Sequence, residues 1–448
     1  MIQLDDYQRD AVNELLARSE FGLFDEAGVG KSHPTIHAAL QYPGSRLFTM
    51  PAYLIPQFAG MIKQYDPNLT IATTLLDGKA AKTAALESSA DFVLASYNTW
   101  STFDGAKPRY PQLHNRRWGA CAFDESHRMR GMNSLWTKQV FKLRNADSKN
   151  RDTPVWWLTG TPLVAGPKDV WTFLHMCNRK AYPGFWDWAE HWCYVTDTPW
   201  ERQVGKLRAG RSEEFRAMMR DYSMRRLCEQ IPQLAGLEMV FKDVTVTLPA
   251  SVYRMLKELQ SNYRLRHEDL PEDVVFEHAG AIHAQMRLLT ALPPTTAQPK
   301  LDAFRGYLED HSAERIVVFA WHREVVEAAM RVVQKLSPKR PLYRFSGDSS
   351  VREKVTAQEG YAEHSNAVVV GTIAAMNAGV NLQAGHHCAF LEESYLPGEN
   401  EQAVRRLLRR GQKRPVVVTR IRAADSVDNT VWRIAHKRGE AIRAAMGE

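Results

Sequence analysis

The sequence predicts an α/β protein of two tandem lobes, each a parallel β-sheet wrapped by helices, with small helical insertions. Three observations predict it. Up to about residue 230, short apolar strands alternate with helical stretches, the pattern of βα units. Candidate strands lie at Phe21–Phe24, Ser45–Met50, Asp91–Ser96, Ala120–Phe123 and Val155–Leu158, each followed by turn or charged residues. Runs such as LFTM (47–50) and FVLAS (92–96) suit strands covered on both faces. The pattern then restarts after Pro232. Val240–Leu248 alternates like a strand, and a helical zone with charged faces runs through Leu256–Leu292 to Pro293 and Pro294. Arg315–Phe319, Ala367–Gly371, Cys388–Leu391 and Val416–Thr419 follow, spaced by helical segments. The expected lobes are residues 1–232 and 233–448, joined near residues 229–240.

A chain of 448 residues is too long for one ordinary core. Its 44% hydrophobic and 24% charged residues are those of a globular protein, and no run approaches the roughly 18 apolar residues a membrane span needs. The start, MIQLDDYQRD, has neither a basic n-region nor an apolar h-region, so no signal peptide is expected. Five cysteines without a CxxC pair read as free thiols in a reducing compartment. The expected location is intracellular, cytoplasmic if the source is bacterial or viral, with no membrane partner. A net charge of +7 favours a polyanionic partner but does not by itself identify one.

The first chemical signal is Gly22-Leu23-Phe24-Asp25-Glu26-Ala27-Gly28-Val29-Gly30-Lys31-Ser32. An apolar strand enters a glycine-containing turn, and Lys-Ser opens a helix. Glycines let backbone N–H groups curl around phosphate oxygens, and the helix N-terminus adds partial positive charge. Lys31 suits the β- and γ-phosphates and Ser32 a Mg²⁺ ion. Asp25 stands where the strict GxxxxGK[ST] pattern has glycine.

The second signal is Asp124-Glu125-Ser126-His127, two adjacent carboxylates at the end of an apolar strand. In a parallel sheet that end faces the same crevice as the phosphate loop. Asp124 suits Mg²⁺, and Glu125 suits the general base that polarises an attacking water.

These residues resemble superfamily 2 helicases and, within them, the Snf2-like DNA translocases, along nearly the whole chain and in order. DEAGVGKS (25–32) resembles the Snf2 phosphate loop, which also begins Asp-Glu. DESH (124–127) resembles the family's acidic box. The resemblance implies RecA-like lobes and an ATP site formed by Tyr7, Gln8, Gly28, Val29, Gly30, Lys31, Ser32 and Gly379, with Tyr7-Gln8 in the place of the adenine-recognising glutamine. LTGTP (158–162) resembles the motif that couples ATP state to lobe movement, through Thr159, Gly160 and Thr161, with Gln402 in the same role. Met224-Arg225-Arg226-Leu227, followed by Ile231-Pro232, resembles the segment closing the first lobe.

Further along, MPAYLIPQF (50–58) and ASYNTW (95–100) are similar to segments touching the nucleic-acid backbone, which carries that role to Pro51, Ala52, Ser96 and Tyr97. IVVFAWHRE (316–324) and GTIAAMNAGVNL (371–382) carry it to Trp321 and Asn381. The second of these is closer to the annealing-helicase branch than to nucleosome remodellers. EQAVRRLLRRGQ (401–412) resembles the arginine-finger motif and assigns Arg406 and Arg409 to the γ-phosphate. Gly411-Gln412 at its end favours the DNA-translocating branch over RNA helicases.

The resemblance implies an ATP- and Mg²⁺-dependent motor that hydrolyses ATP in an interlobe cleft and moves along duplex or forked DNA without sequence preference, as a monomer on DNA. Two other readings remain open, a strand-unwinding RNA or DNA helicase and a non-hydrolysing nucleic-acid clamp of the same fold. The short flanks on either side of the motifs suggest a minimal motor directed by a protein partner. Trp171, Trp186, Trp188, Trp192 and Trp200, with Tyr182, Phe185 and Tyr194, are expected to form a helical core, with base stacking as the alternative. The His-x-Cys pairs at 175–177 and 191–193 lack the usual spacing of close zinc ligands. His386-His387-Cys388 reads as packing before a strand.

Overall fold

The computed structural model describes residues 2–145, 147–197, 202–232, 234, 238–262, 264–265, 274–275, 279–377, 380–409 and 411–448. The chain forms two compact units, Met1–Ala235 together with Gly439–Glu448, and Gly236–Arg438.

The first unit is built on a seven-stranded, wholly parallel sheet. Its strand order is Ser223–Met224, Glu20–Leu23, Val155–Leu158, Cys121–Asp124, Arg46–Met50, Phe92–Ser96 and Ile71–Thr73. The central strands are buried end to end, as their apolar composition requires. Because side chains alternate across a strand, Trp156 and Trp157 enter separate cores on opposite faces of the sheet, both nearly inaccessible to solvent.

The second unit repeats the architecture with six parallel strands, in the order Met239–Val246, Val416–Ala423, His387–Phe390, Ile316–Ala320, Val368–Thr372 and Leu342–Phe345. Its two outer strands differ in character from the inner ones. Met239–Val246 is exposed along most of its length, whereas Ile316–Ala320 and Val368–Thr372 are buried throughout.

The expected α/β class with two parallel sheets is therefore present, and the expected strand ends lie within one or two residues, except that the strand from Val416 runs four residues further, to Ala423. Two readings need correction. The helical zone expected over Leu256–Leu292 is two helices, Ala250–Asn262 and Ala279–Ala291, with a short antiparallel pairing of Arg264–Leu265 and Val274–Val275 between them. Charged residues between two amphipathic stretches do not reveal a chain reversal. Strands Ile71–Thr73 and Leu342–Phe345 also went unpredicted. Both lie at sheet edges and are only partly buried, so neither makes the apolar run that marks an inner strand.

The tryptophan-rich segment forms helices Trp171–Cys177 and Phe185–Trp192 and an antiparallel hairpin, Cys193–Asp197 with Arg202–Leu207. Trp171, Trp188 and Trp192 are buried in the first unit's core, as the helical-core reading expects, and Trp186 packs against it. Trp200 lies outside the described residues.

Candidate nucleotide-binding site

Strand register brings the first unit's motifs into one row. Met224 pairs with Leu23, Leu23 with Leu158, and Leu158 with Asp124. The next residues along each strand are Arg225, Phe24, Thr159 and Glu125. Four segments separated by up to two hundred positions in sequence thus leave the sheet side by side at its carboxyl edge, where α/β folds place their ligands.

The phosphate loop takes its shape from backbone geometry. Gly28 and Gly30 adopt φ of 98° and 97°, conformations that side-chain-bearing residues rarely reach. Tyr7 donates its hydroxyl to the Val29 carbonyl at 2.9 Å, and the Gln8 amide reaches the Gly30 carbonyl at 3.5 Å. Gln8 also accepts from the Asp5 N–H at 3.1 Å, completing a capping box on helix Asp6–Ala17. Lys31 directs its ammonium onto the carbonyls of Asp25, at 2.6 Å, and Glu26, at 3.2 Å. Ser32 opens helix Ser32–Leu40, so the phosphate loop runs directly into a helix N-terminus.

Asp25 and Glu26 are buried structural anchors. The Asp25 carboxylate, 1% exposed, accepts from the Arg226 guanidinium through both oxygens and from the Arg226 N–H at 2.9 Å. Glu26 accepts the Cys228 N–H at 2.7 Å and gives its own N–H to the Arg226 carbonyl at 2.9 Å. Arg225 donates to the carbonyls of Phe24, at 2.8 Å, and Gly160, at 3.0 Å. A carboxylate therefore stands where the strict pattern has glycine because the loop is clamped from the far end of the lobe. Arg225, Arg226 and Cys228 were absent from the expected site. The two arginines had one sequence signal, the resemblance of 224–227 to a lobe-closing segment, and Cys228 had none.

Glu125 sits at φ 54°, in the left-handed region, and Asp425 is the only other non-glycine residue there among those described. Such a conformation is costly for a side-chain-bearing residue and persists where surrounding structure enforces it. Glu125 is buried and lies 3.5 Å from His127 Nδ1, which in turn meets the Thr159 hydroxyl at 3.0 Å. Thr159 accepts the Thr161 N–H at 3.1 Å. The acidic box and the Thr-Gly-Thr loop are thereby joined through His127. Gly160 completes the arrangement, since a Cβ there would lie 2.8 Å from the Ala27 nitrogen. Close packing of that loop on the phosphate loop requires glycine.

The expected nucleic-acid contacts divide. Pro51 is buried and Ala52 half-buried, just beyond strand Arg46–Met50. The side chains of Ser96 and Tyr97, expected at the same surface, are buried. The Ser96 hydroxyl meets Thr99 at 3.1 Å, while Tyr97 packs on Trp136 and donates to the Asp124 carbonyl at 2.8 Å. Burial pushes the Tyr97 phenol well up, with Asp124 adding to it, so the proton stays on as donor. Tyr97 thereby braces the acidic box, while Ser96 is tied to Thr74 and Thr99.

In the second unit, Trp321 follows strand Ile316–Ala320 and is 38% exposed, with the Arg287 guanidinium 5.0 Å from its ring centroid. Its backbone is held by Glu392, whose carboxylate accepts the N–H groups of Trp321 at 2.9 Å and His322 at 2.8 Å, and the His322 ring at 2.7 Å. Burial alone would raise the Glu392 carboxyl. The hydrogen bonds and charges of His322, with the Arg287 charge, outweigh it and leave the group below the ordinary carboxylate range. Neither Glu392 nor Arg287 was expected. Asn381 gives its N–H to Gln358 at 3.0 Å and caps the Gln383 N–H at 3.3 Å.

Arg406 is 4% exposed and donates to the Asn377 carbonyl, while Arg409 is half-buried. Gln402 is buried in helix Pro397–Val404. Gln412 is a peg, its amide donating to the carbonyls of Gln383 at 3.1 Å, Gly385 at 2.9 Å and Leu407 at 3.3 Å. Gly379 lies outside the described residues.

The chain belongs to the SNF2-related domain family, whose profile matches residues 7–262. Among curated relatives it is similar to the human "DNA annealing helicase and endonuclease ZRANB3", 23% identical over 454 residues, a match spanning 98% of this chain and 40% of that protein. It is also 23% identical over 451 residues to the Drosophila melanogaster "SWI/SNF-related matrix-associated actin-dependent regulator of chromatin subfamily A-like protein 1", spanning 98% of this chain and 55% of that protein. The chain thus spans roughly half the length of these relatives or less. Among solved structures, the "Sulfolobus solfataricus SWI2/SNF2 ATPase core in complex with dsDNA" aligns with 100% of this chain and 93% of that one, at 15% identity and a TM-score of 0.44. Among the described residues no helix is long and apolar enough to cross a membrane.

Proposed function

We propose that this protein is a DNA-stimulated ATPase that translocates along duplex DNA. The observation that carries the proposal is the row Leu23–Leu158–Asp124, which sets the phosphate loop, the Thr-Gly-Thr loop and the acidic box side by side at one sheet edge. Family membership and the annealing helicases among its relatives support the same reading.

The site fits a triphosphate. Its loop is curled by two left-handed glycines, and the Lys31 ammonium rests on loop carbonyls that it would exchange for phosphate oxygens. Ser32 and Asp124 would hold Mg²⁺, which neutralises phosphate charge when bound. Glu125 takes the proton of the attacking water, and its enforced left-handed backbone fixes the direction in which its carboxylate points. The His127–Thr159 bond ties that base to the loop packed on the phosphate loop. Arg406 and Arg409 of the second unit supply the positive charge that compensates the leaving phosphate, so turnover depends on the state of both units. DNA engages through backbone phosphates, with the exposed Trp321 as one contact and the buried Arg287 beneath its ring as support.

The test is phosphate release measured with duplex DNA, single-stranded DNA and RNA across a salt series. Translocation on duplex predicts strongest stimulation by duplex, falling steeply with salt. Preference for single strands or RNA would favour the unwinding reading, and no turnover with any of the three would favour the clamp.

A further inference from the structure

The second unit carries a cluster that nucleotide chemistry does not use. At the amino-terminal edge of its sheet, the ligand-capable atoms of Glu314, His386 and His387 lie within 4.8 Å of one another. The three residues come from two chain segments that the sheet holds side by side. Ile316 pairs with His387 in parallel register, Glu314 stands two residues before Ile316, and the His386 carbonyl accepts the Val417 N–H at 2.7 Å. Neighbouring side chains on a strand normally point to opposite faces, yet the His386 and His387 rings lie 4.3 Å apart at the strand entrance. His387 Nδ1 is buried and makes no hydrogen bond with the described residues.

A third imidazole stands beside them. The His311 ring is 4.5 Å from that of His387, and its Nδ1 meets the Tyr307 carbonyl at 2.8 Å. A carbonyl only accepts, so Nδ1 carries a proton and Nε2 is the nitrogen left to bind a metal, as in a histidine oriented for coordination. Cationic neighbours include Lys242, Arg414, whose guanidinium is 3.8 Å from the Glu314 carboxylate, and Arg340, which donates to the carbonyls of His311, at 3.0 Å, and Glu314, at 2.8 Å. Imidazoles beside one carboxylate form a donor set for a borderline divalent cation.

We propose that Glu314, His386 and His387 bind a divalent transition ion of the zinc class, with water or His311 completing the coordination. The ion staples the turn after helix Pro299–Asp310 to the entrance of strand His387–Phe390, at the sheet edge opposite Trp321. The sequence alone reads residues 386–388 as packing, because Glu314 joins them only through the fold.

The test uses the full chain, free of any affinity tag, stripped with chelator and without nucleotide. Zinc is titrated against a chromophoric chelator, and cobalt(II) is followed by its visible ligand-field bands. One equivalent of zinc with micromolar or tighter affinity is expected, together with cobalt bands typical of low coordination number. His386→Ala, His387→Ala and Glu314→Gln should each weaken binding roughly tenfold or more. Arg414→Ala removes a competitor for Glu314 and should tighten it. Glu314→Gln is isosteric and partly exposed, so it serves if a histidine variant fails to fold. Absence of stoichiometric zinc, or zinc affinity unchanged in Glu314→Gln, overturns the site.

Discussion

Asp25 and Arg226, two hundred and one positions apart, form a two-point ion pair beneath the phosphate loop, Arg226 Nε lying 3.0 Å from Oδ1 and Nη2 bonding Oδ2. The carboxylate is 1% exposed, and the guanidinium is its ion-pair partner. Breaking a buried pair from one side leaves an uncompensated charge, and Arg226→Ala is expected to destabilise the first unit by about 3–5 kcal/mol. Arg226→Lys should recover only part of this, because an ammonium cannot make the bidentate contact. Thermal melting checks the stability, and a fluorescent ATP analogue should show weakened binding in both variants. Melting unchanged in Arg226→Ala would remove the clamp from the account.

Lys31→Ala and Glu125→Gln are expected to separate binding from chemistry. Both should abolish phosphate release, but Glu125→Gln should retain nucleotide affinity while Lys31→Ala loses it. Equilibrium binding beside phosphate release on the same preparations decides. Wild-type turnover in Glu125→Gln would show that another group is the base.

Gly160→Ala adds a methyl group 2.8 Å from the Ala27 nitrogen, against backbone that has no flexible side chain to move. The phosphate loop must shift, and displacement near the reacting atoms can cost about a hundredfold in rate. The expected result is a large loss of kcat with a melting temperature close to wild type. A variant with undiminished kcat would mean that the two loops separate freely in the working enzyme.

The two arginines should behave differently. Arg406 is buried and bonded to the Asn377 carbonyl, so Arg406→Ala is expected to destabilise the second unit by about 1–3 kcal/mol as well as abolish activity. Arg409→Ala should keep the fold and ATP affinity and lose DNA-stimulated turnover by about a thousandfold or more. Stimulation retained in Arg409→Ala would leave Arg406 as the finger.

Burial holds the His114 imidazole down to about 4, from an ordinary 6.5. The folded state keeps it neutral while the unfolded chain takes up a proton below 6.5, so stability present above that pH is lost as pH falls toward 4. At pH 5 the loss is about 2 kcal/mol. Denaturant unfolding at pH 7 and pH 5 should show a smaller pH-dependent difference in His114→Gln than in the wild type. Equal differences would show that His114 is already accessible to protons in the native state.

The sequence by itself determined the α/β class, the inner strands, the phosphate loop and the acidic box. Each is written in a contiguous stretch: an apolar run for a doubly covered strand, glycines before Lys31-Ser32, two carboxylates closing a strand. Edge strands such as Leu342–Phe345 lack that local pattern because one side of them faces solvent. Only the tertiary structure decided why Asp25 replaces glycine, why Gly160 must have no side chain, and that Ser96 and Tyr97 face inward. It also decided that Glu392 holds the backbone of Trp321. These are relations between segments that parallel register sets side by side, and a parallel strand pair is always separated in sequence by a crossover. The partner of a buried charge therefore lies tens to hundreds of residues away, where no local reading of the chain can find it.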